Sequence, residues 1–159
     1  MIKNEMIMVL EKHVGTKRLN SISGNINNPG LASCALSDER GSVYGIAVKL
    51  KDSEIDDFLS KCDKCQINVD TWKTIGNSYY PLYWGKDLNL GTRLNAHTKT
   101  YKSTGSLQLN KRIFLQNKEI IYGAIQCTNS EEIELQLRSL YPDVLKTKKI
   151  KSKLKVSHK

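Results

Sequence analysis

One stretch of fifteen residues, Tyr83-Trp84-Gly85-Lys86-Asp87-Leu88-Asn89-Leu90-Gly91-Thr92-Arg93-Leu94-Asn95-Ala96-His97, restricts the fold more than any other. It reads as the end of a strand, a tight glycine turn and an amphipathic helix, so the domain mixes α and β. Leu90 and Leu94 are one helical turn apart and give a buried stripe. Arg93 and His97 have the same spacing and share the adjoining face. Asp87 or Asn89 is suited to cap the helix start. Local geometry thus brings a phenol, a fixed cation and an imidazole to one place. That combination suits phosphate chemistry.

The other elements follow from period and punctuation. Met1–Thr16 carries Ile2, Met6, Val9, Leu10 and Val14 near helical spacing, and a surface helix is expected. Ser21–Gly30, with three asparagines, two glycines and Pro29, reads as a loop. Ser42–Leu50 is rich in β formers and puts Tyr44, Ile46 and Val48 on one strand face. Taken alone, Tyr44 reads as a half-buried sheet tyrosine. Ser53–Cys62 is expected to be a short helix with a Ser53–Asp56 capping box. Gln66–Asp70 reads as a short strand, and Trp72–Ser78 as a loop. Tyr79–Trp84 forms a strand whose Pro81 requires the strand start or a sheet edge. Thr98–Ser106 is polar and basic, with Lys99 and Lys102, and Leu107–Leu115 fits helix or strand. Glu119–Cys127 reads as a further strand. Asn129–Tyr141 reads as a helix with an Asn129–Glu132 start signal and a stripe of Ile133, Leu137, Leu140 and Tyr141. Glu134 lies beside that stripe, four residues before Arg138. Read locally, the two form a solvent-exposed pair.

Hydrophobic residues at 39% and charged residues at 26% suit a single globular domain. No apolar run is long enough for a membrane span, and Lys3, Asn4 and Glu5 interrupt the N-terminus unlike a secretory leader. A cytoplasmic protein that does not engage membranes is expected. Cys34, Cys62, Cys65 and Cys127 then read as free thiols. The single Cys62-x-x-Cys65 pair is half of an ordinary structural zinc set. The net charge is +9, yet Lys146–Lys159 alone holds seven lysines and no acid. The remaining body has 18 basic and 16 acidic residues. A basic tail on a nearly neutral body gives sequence-independent attraction to nucleic acid, or simply a solubilising end.

The central stretch resembles the second half of the GIY-YIG nuclease motif. The resemblance rests on the aromatic-x-Gly of Tyr83-Trp84-Gly85, Arg93 eight residues after Gly85, and His97 four residues later. Upstream, Ser42-Val43-Tyr44 resembles the first signature. Downstream, Ile133–Pro142 resembles the late helix in which a metal-binding glutamate precedes a proline. The resemblance covers roughly Gly41 to Leu145. It departs from the family in a long insertion, Lys51–Ser78, between the two signature tyrosines. It also lacks the asparagine that often follows the proline, since Asp143, Val144, Leu145 and Lys146 stand there.

The resemblance implies a small, mainly antiparallel central sheet flanked by helices, an α/β (α+β) domain. Residues 1–40 would form an N-terminal helix and loop, residues 41–145 the nuclease-like domain with its 51–78 insertion, and residues 146–159 a basic tail. The implied activity is metal-dependent endonucleolytic hydrolysis of DNA phosphodiester bonds, with RNA in place of DNA as the alternative substrate. Tyr44 would be the general base or orient the attacking water, and Tyr83 would assist it. Arg93 would polarise the scissile phosphate, and His97 would hydrogen-bond the phosphate or relay a proton. Glu134 would hold Mg²⁺ or Mn²⁺. Lys86, Lys99 and Lys102 would contact the phosphate backbone. A cutter of palindromic sites would pair as a homodimer. The alternatives are a catalytically inactive nucleic-acid-binding module and an unrelated basic RNA-binding protein.

Overall fold

Four β segments pair into one sheet because each offers an apolar side chain to at least one covering layer. The computed structural model describes residues 3–15, 20–26, 41–63, 69–87, 107, 109 and 112–147. Strand β1 spans Ser21–Asn25, β2 Ser42–Lys49, β3 Tyr79–Asp87 and β4 Ile120–Gln126. The sheet order is β1-β4-β2-β3 and every pairing is antiparallel. Helices α1, α2 and α3 span Glu5–Val14, Ile55–Ser60 and Ser130–Leu140. The protein is therefore α+β, with a small antiparallel sheet and flanking helices, as expected. No helix among the described residues is long and apolar enough to cross a membrane.

Alternation along the central strand β2 divides the core. Tyr44, Ile46 and Val48 enter one apolar cluster with Phe58 and Leu59 of α2, Trp72, Leu82, Leu107 and Leu115. Val43 and Ala47 enter the other, built with Met6 and Leu10 of α1 and Ile133 and Leu137 of α3. Gly45 lies between Trp84 on β3 and Gly123 on β4. A methyl group at Gly45 would collide with the Met6 sulfur and the Trp84 indole, so this glycine lets α1 lie close on the sheet.

The start of α1 is fixed twice by one side chain. Asn4 Oδ1 accepts from the Ile7 amide at 3.0 Å, an ordinary N-cap, while its Nδ2 donates to the Tyr122 carbonyl of β4 at 3.0 Å. Strand β3 lies at the sheet edge, which accommodates Pro81 beside the register shift between Ile46 and Ala47. Its outer edge is covered by the chain after α3. The Val144 and Leu145 amides donate to the Leu82 carbonyl at 3.0 and 3.3 Å. Below Leu107, buried Arg112 acts as a clasp. Its Nε donates to the Leu107 carbonyl at 2.7 Å, its Nη2 to the Lys146 carbonyl at 2.9 Å, and it pairs with Asp63 at 2.9 Å. Asp63 also accepts from the Lys146 amide at 2.7 Å.

Several local expectations are corrected. Ser21–Asn25 is an edge strand rather than a loop, because pairing with β4 supplies what its own composition lacks. Val69–Thr71 is a 3-10 turn, not the end of a strand, and Ile113–Leu115 is another such turn. The second helix opens with a 3-10 turn at Asp52–Glu54, so the carboxylate that folds back is Glu54, on the Lys51 amide at 2.8 Å. Asn129 occupies the N-cap position of α3 but makes no capping bond with its side chain. The tight turn expected at Gly85 is instead strand, because β3 stays paired with β2 as far as Asp87. The helix expected beyond it, the Thr98–Ser106 loop, Cys34, Cys65 and the tail beyond Thr147 lie outside the described residues.

Candidate functional site

The two signature tyrosines meet on one face of the sheet. Tyr44 on β2 stands opposite Gly85 on β3, and Ile46 stands opposite Tyr83. Opposed residues share a face, so Tyr44 and Tyr83 are diagonal neighbours. Their ring centroids are 6.3 Å apart at 33°. Tyr44 is buried at 2% exposure, not half-buried, and its ring lies over Gly85 where a Cβ would overlap it. The aromatic-x-Gly signature therefore has a steric reason: the glycine makes room for the phenol of the neighbouring strand. Tyr83 is half-buried.

Glu134 comes to this edge through Arg138. Both sit on α3, one turn apart, and Arg138 Nη1 donates to Glu134 Oε1 at 3.0 Å. The pair was expected in solvent, but Glu134 is only 8% exposed. The difference arises because the guanidinium is drawn onto β3. Its Nη2 donates to the Trp84 carbonyl at 2.6 Å, its Nε donates to Asp143 Oδ2 at 2.8 Å, and its face lies 5.3 Å from the Tyr83 ring centroid. Asp143 in turn accepts from the Trp84 amide at 3.0 Å, and Trp84 Nε1 donates to the Tyr141 carbonyl at 2.9 Å. Burial works against the Arg138 charge. The Asp143 and Glu134 carboxylates, with the Tyr83 phenol, outweigh it and hold the guanidinium above its ordinary value.

Lys86 does not join the tyrosines. It stands opposite Val43, on the other face of the sheet, and its ammonium lies 3.5 Å from Glu131. There it lines a cleft of about 570 Å³ with Asn129, Ser130 and Glu132 at the start of α3. Strand alternation thus turns Lys86 away from the face that holds Tyr44 and Tyr83. Arg93, His97, Lys99 and Lys102 lie outside the described residues. Cys62 is buried, and its thiol donates to the Phe58 carbonyl at 3.4 Å.

The donor chemistry at this edge fits a hard divalent cation. Mg²⁺ and Mn²⁺ favour oxygen ligands, and Mg²⁺ commonly takes one or two carboxylates with waters and substrate phosphate completing its shell. Glu134 offers one carboxylate, with Oε1 engaged by Arg138. Asp143 is the other nearby acid, and its two oxygens are taken by Trp84 and Arg138. Among the described residues no group of three His, Cys, Asp or Glu side chains is placed to hold a metal by itself. The sequence reading missed Arg138 and Asp143 as parts of this edge. The only available signal was that each lies within nine residues of Glu134, flanking Pro142. Compared with protein-family models, curated proteins and solved structures, the chain gives no match.

Proposed function

We propose that the protein is a metal-dependent endonuclease of the GIY-YIG type that hydrolyses DNA phosphodiester bonds in the cytoplasm. The observation that carries the reading is the meeting of Tyr44 and Tyr83 on one sheet face, with Glu134 held against the same strand by Arg138. The spacing of Gly85, Arg93 and His97 supports it from the sequence. In this reading Tyr44 takes a proton from, or orients, the attacking water, and Tyr83 assists. Arg93 binds a phosphate oxygen with its fixed fork, and His97 hydrogen-bonds the phosphate. Glu134 holds Mg²⁺ or Mn²⁺, which when bound supplies charge stabilisation to the phosphate. The lysines Lys99 and Lys102 and the tail steer the polyanion.

The test is a cleavage assay on plasmid DNA, phage DNA and single-stranded RNA with Mg²⁺, Mn²⁺ or EDTA, beside Glu134→Gln. Metal-dependent cutting of DNA that is lost in the variant is the expected result. Cutting that survives both EDTA and Glu134→Gln sinks the assignment. A catalytically inactive nucleic-acid-binding module is the second reading. The Glu134–Arg138 ion pair favours it, because the guanidinium neutralises the carboxylate without a metal ion. That reading expects salt-sensitive DNA binding and no cleavage under any metal.

A further inference from the structure

We propose that Arg138 is a positioning residue of this site: it locks Glu134 and the Tyr83 ring into one unit and leaves a single carboxylate oxygen for the cation. The inference rests on the nuclease reading above.

The geometry of the guanidinium supports it. Three of its nitrogens donate in three directions, to Asp143 Oδ2 at 2.8 Å, Glu134 Oε1 at 3.0 Å and the Trp84 carbonyl at 2.6 Å. Its flat face is left for Tyr83, at 5.3 Å. A planar fork can satisfy three fixed acceptors and stack at once, whereas an ammonium on a flexible stem cannot. The acceptors come from separate parts of the chain: α3, the residue after Pro142, and the backbone of β3. Trp84 immediately follows Tyr83 and immediately precedes Gly85, so the anchor point lies inside the aromatic-x-Gly signature itself. A carboxylate on a mobile side chain would sample many positions. Here the bond runs to Oε1 and restrains the rotamer, which leaves Oε2 as the oxygen for the cation in this proposal. Groups that orient a metal ligand in this way typically change metal affinity or activity when removed, without touching the metal.

A purely structural brace would give different results. It would lower stability on removal but leave the metal requirement and turnover of the folded protein unchanged. The experiment therefore uses the full chain, with folding checked by circular dichroism. Mn²⁺ binding is measured from the free-ion electron paramagnetic resonance signal, beside plasmid cleavage across a Mn²⁺ titration. Wild type is compared with Glu134→Gln, Arg138→Lys and Asp143→Asn. Arg138→Lys keeps the charge and loses the fork. Asp143→Asn keeps an acceptor for the Trp84 amide and weakens one anchor of the guanidinium.

The expected result is Mn²⁺ binding that is lost in Glu134→Gln and weakened about tenfold or more in folded Arg138→Lys, with turnover down by about 10–100-fold. Asp143→Asn shifts both in the same direction by a smaller factor. If Arg138→Lys does not fold, Asp143→Asn carries the comparison alone. Folded variants with wild-type Mn²⁺ dependence and wild-type turnover overturn the positioning role and leave the nuclease reading standing. A wild-type protein that neither binds Mn²⁺ through Glu134 nor cuts overturns the reading, and the positioning role with it.

Discussion

Gly85→Ala tests the contact on which the tyrosine pair depends. Two effects of opposite sign compete. A glycine inside a strand is entropically unfavourable, so alanine should stabilise β3 by about 0.5–1 kcal/mol if there were room. There is no room: the added methyl would overlap the end of the Tyr44 ring. That ring is 2% exposed and packed against Tyr83 within the apolar cluster, so it cannot swing into water. Overpacking of this kind typically costs about 1–3 kcal/mol. The overlap is with a rigid aromatic ring rather than a flexible side-chain end, which puts the cost in the upper part of that range. The net expectation is destabilisation by about 1–2 kcal/mol. In urea this lowers the midpoint by about 0.5–1 M at unchanged slope. The same substitution in a Tyr44→Leu background removes the obstacle, and Gly85→Ala should there be neutral or stabilising. Denaturation curves for the four proteins of this double-mutant cycle give the coupling directly. Stabilisation of the wild-type protein by Gly85→Ala, or equal destabilisation of both backgrounds, would rule out the Tyr44–Gly85 clash as the cause.

Other predictions follow from features away from the tyrosines. Arg112→Ala takes the guanidinium away from Asp63 and from the Leu107 and Lys146 carbonyls, in a site where the ion-paired side chains are 7% and 16% exposed, and should cost about 3–5 kcal/mol in urea unfolding. Arg112→Met, which fills the volume, should cost visibly less. Burial pushes the Cys127 thiol from 9.0 up to about 11, against smaller opposing contributions from backbone amides. The folded state then keeps a proton that the unfolded chain releases. Stability is full below pH 9 and declines as pH rises towards 11, by at most about 1.4 kcal/mol per pH unit. A Cys127→Ala variant should lack that component of the decline. Truncation after Thr147 removes six lysines but keeps the Lys146 backbone clasped by Asp63 and Arg112. Folding stability should be unchanged, while the slope of log affinity for DNA against log salt should flatten by up to about 5, near 0.9 per lost phosphate contact. An unchanged slope would place the DNA contacts elsewhere.

The legible parts of this fold are those whose neighbours in sequence are also their neighbours in space. β2, β3, β4 and α3 stand out because each is a bounded run with a period of its own. β1 was hidden because Ser21-Ile22-Ser23-Gly24-Asn25 has one strong β former, and only its register against β4 makes it a strand. Alternation shows that Tyr44 shares a face with Ile46, the resemblance implies the tyrosine pair, and the β2–β3 register brings Tyr83 opposite Ile46. The same rule, applied along β3, would have turned Lys86 away from Tyr83 and Gly85. Arg138 was misread for a different reason. Residues four apart on a helix are recognisable as a pair, but their burial depends on Asp143 returning to the Trp84 amide across 59 residues of sequence. No local pattern encodes that return. After Pro142, where the family often has an asparagine, stands Asp143, whose carboxylate bridges the β3 backbone and Arg138.

The double attachment of Asn4 has a consequence for how the chain is made. Its partner on β4, Tyr122, lies 118 residues downstream. At typical synthesis rates of about 5–20 residues per second, that partner emerges on the order of 6–24 s after the asparagine does. Throughout that interval a ten-residue helix is too short to hold itself together in water, and the β4 part of the surface on which Met6, Ile7 and Leu10 dock is still missing. This apolar segment, made 118 residues before its β4 partner, is thus covered late. A chaperone that binds short apolar segments would meet this protein at α1. Substitutions that delay or loosen β4 would prolong that encounter before they altered anything at the tyrosines.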